Sequence, residues 1–107
     1  AYPTKAARHG VLLTKKGNLR IERKTHANEF GPIEADCPCP TCQNYSVAYL
    51  HHLFKIGEIL GARLNTIHNI HYYLTLMSEI REAISQGQFS SFTEQFLANR
   101  QILKKQK

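Results

Sequence analysis

At 107 residues the chain has room for one domain or a piece of one, and its 42% hydrophobic content is ordinary for a folded protein. No apolar run approaches the roughly 18–20 residues of a membrane span, and no apolar signal region is visible, so neither a membrane partner nor a secretory setting is expected. The net charge of +6, from 14 basic against 8 acidic residues, favours phosphate-bearing partners, although basic runs also serve as plain solvated faces.

Residues 1–10 are basic and poor in large apolar side chains, with Lys5, Arg8 and His9 close together ahead of Gly10. The chain opens on Ala1 where an initiating Met would stand, which is read as the mark of a fragment or trimmed product. Val11–Thr14 reads as a short strand. Lys15-Lys16-Gly17-Asn18 is turn chemistry, and Leu19–Arg23 alternates apolar and charged residues at the period of a half-buried strand, so a β-hairpin is expected. Lys24–Asp36 reads as a loop with room for a third short strand, anchored by Phe30-Gly31-Pro32-Ile33.

All three cysteines then fall in Asp36-Cys37-Pro38-Cys39-Pro40-Thr41-Cys42. Thiols one residue apart cannot both join disulfides without strain, and an odd count leaves one over. Thiolates are soft ligands that suit zinc, and a structural zinc takes four ligands in a tetrahedron. Pro38 and Pro40 fix φ between the thiols, so the loop is partly organised before metal arrives. A reducing cytoplasm suits such a cluster better than an oxidising one. The fourth ligand must come from the six histidines. Spacing leaves His68, His51, His52, His71 and His26 open, although His68 lies off the apolar stripe of its helix, beside Tyr72 and Thr75.

Beyond the cysteines, residues 44–60 read as a helix with Tyr49, Leu53, Ile56 and Leu60 on one face and Gly61 as its stop. A second helix is expected from about Thr66 to Ser85, capped by Asn65 or Thr66, with Ile67, Ile70, Leu74, Met77, Ile80 and Ile84 as its apolar stripe. A third begins at Ser91-Phe92-Thr93-Glu94, a reciprocal capping pattern, and frays into Lys104–Lys107. The expected class is α+β: a small antiparallel hairpin, a zinc loop and about three helices. No H-E-x-x-H, G-x-S-x-G or phosphate-cradling loop is present, and Glu58, Glu79, Glu82 and Glu94 read as solvated helix charges.

Cys37-x-Cys39-x2-Cys42, followed by Tyr49-Leu50-His51-His52-Leu53 and Gly61-Ala62-Arg63-Leu64-Asn65-Thr66-Ile67-His68-Asn69, resembles the zinc-binding end of the bacterial tRNA-guanine transglycosylase family. That resemblance places the family's ligating histidine, 26 residues after the last cysteine, on His68. Pro3-Thr4-Lys5-Ala6-Ala7-Arg8-x-Gly10 is similar to the family's P-T-R-x-x-R-x-G segment, which implies tRNA contact by Thr4, Lys5, Ala6, Ala7 and Arg8. Lys5 departs from the pattern, keeping the charge of the first arginine without its bidentate fork. The resemblance implies the C-terminal piece of a (β/α)8 TIM-barrel enzyme. Residues 1–10 would form the end of the barrel and contact tRNA, 11–65 the zinc subdomain, and 66–107 helices closing the barrel.

Family enzymes exchange the wobble guanine of a tRNA anticodon loop for a 7-deazaguanine base, through an aspartate nucleophile. By this alignment the aspartate falls before Ala1, so no catalytic residue is expected in the chain and its zinc is structural. A homodimer through the zinc region is implied as well. The alternative is an independent zinc module that binds RNA or a protein partner. The two differ in one visible respect, because a barrel fragment should expose the apolar stripe of residues 64–84.

Overall fold

The computed structural model describes residues 2–105. In chain order it contains α1 (Tyr2–Arg8), β1 (Val11–Thr14), β2 (Gly17–Arg20), a 3-10 turn (Lys24–Asn28), α2 (Pro40–Asn44), α3 (Val47–Lys55), α4 (Ile59–Ser85) and α5 (Phe89–Lys105). The class is α+β, with one two-stranded antiparallel sheet among the described residues.

The hairpin forms with Thr14 opposite Gly17 and Leu12 opposite Leu19, so its turn is the pair Lys15-Lys16 and β2 begins two residues earlier than the alternation suggested. Ile21 has already left the strand and is fully buried. No third strand forms in the loop that follows. Its place is taken by the 3-10 turn, and Phe30 is 77% exposed, leaving Ile33 as the residue of that loop that packs on the core. That core is Leu12, Ile21, Val47, Leu50, Leu53 and Leu64, with Leu19, Ile33, Tyr45 and Phe54 around it.

The helices number five among the described residues, and each departure from the expected three has a local cause. Lys5-Ala6-Ala7-Arg8 are good helix formers and Pro3 is tolerated in a first turn, so α1 replaces an irregular basic segment. Ala6 and Ala7 are buried, and their small side chains let α1 lie close on α4. The expected helix over 44–60 is interrupted because Tyr45 and Ser46 are extended and the Ser46 hydroxyl caps α3, accepting from the Tyr49 N–H at 3.1 Å. Gly57, at φ +76°, follows the end of α3. Gly61 does the opposite of stopping a helix. It is buried inside α4, and a Cβ there would stand 3.0 Å from Leu53 Cβ, so its bareness sets the close crossing of α3 on α4.

Helix α4 therefore starts at Ile59, well before Thr66, and runs unbroken past position 65; Asn65 caps nothing and is fully buried in mid-helix. Most of its apolar stripe faces outward: Ile67, Ile70, Leu74 and Ile84 are 40–62% exposed and Met77 and Ile80 half-buried, while Leu64, Asn65, His68, Asn69 and Tyr72 are buried. Likewise Tyr49, Ile56 and Leu60 are exposed, and α3 buries Val47, Leu50, His51 and Leu53. Helix α5 starts at Phe89, so the Ser91–Glu94 pattern lies within it, and Phe92 stacks on Phe96 with centroids 6.3 Å apart. Its fraying end falls partly on Gln106 and Lys107, outside the described residues. Arg100 pins α5 to the hairpin, donating to Asn18 Oδ1 at 2.7 Å and to the Thr14 carbonyl at 3.2 Å. No helix among the described residues is long and apolar enough to cross a membrane.

The glycines give a graded test. At Gly10 (φ +76°) a Cβ would meet the Phe54 ring at 2.8 Å and Ile21 Cγ2 at 3.1 Å, whereas at Gly57 (φ +76°) nothing lies within 4 Å. Gly57→Ala should cost about 1–2 kcal/mol, the left-handed backbone strain alone. Gly10→Ala should cost roughly 1–3 kcal/mol more through overpacking. Urea denaturation of both variants checks the order, and equal losses would show that Phe54 gives way freely.

Candidate metal centre

The cysteine turn is built from local rules. Cys39 is the N-cap of α2, with Pro40 in the first helical position, and its sulfur accepts from the Cys42 N–H at 3.4 Å. One short helical turn thereby brings Cys39 and Cys42 to the same side. Cys37 is held by its own N–H, which donates to the Glu34 carbonyl at 3.2 Å, and by Gln43 Nε2, which donates to the Cys37 carbonyl at 3.4 Å. Thr41, between the thiols, is fully buried and donates to the Leu64 carbonyl at 2.6 Å, one turn before His68 on α4. Lys15 ties the hairpin turn to the same loop, its N–H donating to Glu34 at 3.0 Å and its ammonium to Asp36 at 2.9 Å.

His68 Nδ1 lies 3.7, 3.6 and 3.4 Å from the sulfurs of Cys37, Cys39 and Cys42. All four residues are buried, and their ligand atoms lie within 4.8 Å of one another. With Zn–S near 2.3 Å and Zn–N near 2.0 Å, a tetrahedron has N···S edges of about 3.5 Å. The observed separations match that edge length. On the other side of the ring, Nε2 donates to the Leu13 carbonyl at 2.8 Å, which fixes the tautomer and leaves the Nδ1 lone pair for a metal. The donor set therefore fits a structural zinc, with four protein ligands and no position left for substrate.

The other histidine candidates stand apart from this group. His51 is buried and its Nδ1 donates to the Ile21 carbonyl at 2.6 Å; His52 is exposed; His26 pairs with Glu29 at 3.1 Å; His71 is half-buried and is not part of the four-residue group. His68 itself sits in the middle of α4 and not in a first turn. Of the five residues carried over as tRNA contacts, Lys5 and Arg8 are exposed on one face of α1, Thr4 is half-buried, and Ala6 and Ala7 are turned inward. Sequence reasoning missed Thr41 and Asn69. The signal at Asn69 was a short polar residue in mid-helix, off the apolar stripe, where an exposed Asn would only weaken the helix.

The protonation of the group follows from burial. His68 is held below its ordinary 6.5, chiefly by desolvation, and burial pushes the Cys37 and Cys42 thiols up.

Comparison with known proteins gives one family. The family model for queuine tRNA-ribosyltransferase matches residues 1–102. A queuine tRNA-ribosyltransferase of Herminiimonas arsenicoxydans is 55% identical over 98 residues, covering 92% of this chain and 26% of the relative. That of Methylobacillus flagellatus is 50% identical over 101 residues, covering 94% of this chain and 27% of the relative. One from Neisseria gonorrhoeae is 52% identical over 98 residues, with 92% and 26% covered. The chain thus spans about a quarter of the length of the curated relatives it matches.

Two outcomes test the centre. Metal analysis should find one zinc per parent chain, a large loss in His68→Ala, and full retention in His51→Ala, because structural zinc contributes about 10–16 kcal/mol that depends on all four ligands. The second concerns pH in the zinc-stripped chain. Neutral His68 contributes stability above 6.5 that is lost as pH falls, and the protonated thiols contribute stability below 9.0 that is lost as pH rises. The stripped chain should therefore resist urea best between pH 6.5 and 9.0. The zinc-loaded chain, whose sulfurs are already thiolates, should hold its stability beyond the upper limit. A stripped chain that strengthens above that limit contradicts the assignment.

Proposed function

Because the chain belongs to the queuine tRNA-ribosyltransferase family, we propose that it is the C-terminal, zinc-bearing and anticodon-contacting part of an enzyme that exchanges the wobble guanine of tRNA for a 7-deazaguanine base. Cys37, Cys39, Cys42 and His68 hold the structural zinc. The catalytic aspartate belongs to the rest of the protein, as does the 7-deazaguanine substrate.

The observation that carries this reading is the posture of α1. It buries Ala6 and Ala7 against α4 and turns Lys5 and Arg8 to solvent, three residues apart on one face. Two cations so presented suit the phosphates of an anticodon loop. Lys5 acts as a point charge, while the Arg8 guanidinium is able to form a bidentate contact. Ala6 and Ala7 serve by packing and by their backbone.

The outward stripe of Ile67, Ile70, Leu74 and Ile84 supports a barrel context over a self-sufficient module, since apolar residues at this spacing call for a covering surface. Residues 1–10, 11–65 and 66–107 are then the barrel end, the zinc subdomain and the barrel-closing helices in role, although α4 crosses the second limit as one element. A homodimer through the zinc region and a cytoplasmic setting belong to the same reading.

Binding of an anticodon stem–loop to the whole protein tests it. Lys5→Ala with Arg8→Ala should weaken binding and flatten its dependence on salt, by roughly 0.7 in slope for each single-strand phosphate that is no longer neutralised. Unchanged affinity and slope would remove α1 from the RNA site.

A further inference from the structure

Strand β1 has one edge that β2 does not use. In the observed register, the antiparallel alternation turns the backbone groups of Leu12 and Thr14 toward β2 and those of Val11 and Leu13 away from it. The Ile21 N–H donates to the Gly10 carbonyl at 2.8 Å and continues the same phase. An open edge of this kind must find partners if it is buried. Two consecutive residues of α4 supply them. His68 takes the Leu13 carbonyl. Asn69, fully buried, accepts from the Leu13 N–H at 3.0 Å and donates to the Val11 carbonyl at 2.9 Å.

Asn69 then does one thing more: the same Nδ2 donates to the Pro3 carbonyl at 3.1 Å, in the first turn of α1. Its amide orientation is fixed by these partners. Turned over, its NH2 would face an N–H and its oxygen would face two carbonyls. One side chain therefore joins α4, β1 and α1.

Helix α1 needs such a joint. Its direction is set by what it packs on, chiefly α4. Its contact face is Ala6 and Ala7, which permits close approach but offers little to fix rotation or register. We propose that Asn69 is a positioning residue for RNA binding, fixing the register of α1 on the zinc-bearing helix and so the place at which Lys5 and Arg8 meet the RNA backbone. This rests on the reading of α1 given above.

The test uses the whole protein, an anticodon stem–loop as probe, and Asn69→Asp, which keeps the shape and sets an oxygen against the Val11 and Pro3 carbonyls. Asn69→Ala, which removes the bonds without burying a charge, is measured alongside and must show the same pattern. Zinc content should stay at the parent level, amide hydrogen exchange over residues 5–10 should quicken, and RNA affinity should fall roughly tenfold, the scale of removing one or two hydrogen bonds. With Lys5→Ala and Arg8→Ala already in place, the Asn69 change should cost no further affinity, because it acts through those residues. Full affinity with unchanged exchange overturns the proposal. So does an equal loss in both backgrounds, which would make Asn69 a general structural residue. If Lys5→Ala with Arg8→Ala alone leaves affinity untouched, the reading of α1 itself falls and the proposal with it.

Discussion

The fold depends on one imidazole used from both sides. His68 offers Nδ1 to three sulfurs and Nε2 to the Leu13 carbonyl, and neither bond could be made with the opposite tautomer. A metal at Nδ1 and a carbonyl at Nε2 each favour the arrangement the other needs, which is how an outer partner raises the basicity of a ligand. Binding zinc therefore secures more than the cysteine loop. It fixes the rotation of α4 about its own axis, and through the Leu13 carbonyl it fixes the hairpin on that helix. The distances in sequence are long, 31 residues from Cys37 and 55 from Leu13. Loops of that length are closed at an entropic cost that a small core must otherwise meet.

That core is small: six buried apolar residues form it, and α4 contributes only Leu64. Besides the small Gly61 and Ala83, the rest of the buried face of α4 is Asn65, His68, Asn69 and Tyr72, a polar row that would be costly without partners. Three of the four have them. His68 and Asn69 satisfy the outer edge of β1, and the Tyr72 hydroxyl receives Arg100 at 3.4 Å. Asn65 finds none among the described residues. The inner face of α4 is thus a docking edge for strand backbone, and Ile67, Ile70, Leu74 and Ile84 face outward.

This inversion explains what could and could not be read in the amino-acid sequence. The cysteine spacing announced a metal because thiol chemistry at that density has few other uses, and the hairpin followed from turn chemistry. The period of α4 was also visible, since Ile67, Ile70, Leu74 and Ile84 do share a face. Which face is inside is not a property of period. It is decided by whether neighbours offer apolar surface or unpaired backbone, and β1 offers the latter. Gly61 shows the same limit. A glycine that ends a helix and one that admits a neighbouring helix look identical in sequence, and Ser46 with Gly57 supplied the breaks instead. His68 could not be separated from His51 by spacing for a similar reason, since both are buried helical histidines that donate to a carbonyl in or just beyond the hairpin. Only the second ring nitrogen distinguishes them, and its surroundings are tertiary. The resemblance of the surrounding motif made the choice where periodicity did not.

The order of elements then acquires a physical logic. The zinc cluster orients α4, two adjacent residues of α4 orient β1, and the second of them reaches α1. Each step is a short, directional bond, buried at Leu13 and part-buried at Val11 and Pro3, so little angular freedom accumulates along the way. Hydrophobic contact alone would not achieve this, because the Ala6 and Ala7 face tolerates sliding and rotation. A structural metal can in this way set where two exposed cations stand. The control it exerts is geometric: it needs no charge of its own near those cations, only a path of hydrogen bonds from His68 and Asn69 to the helix that carries Lys5 and Arg8.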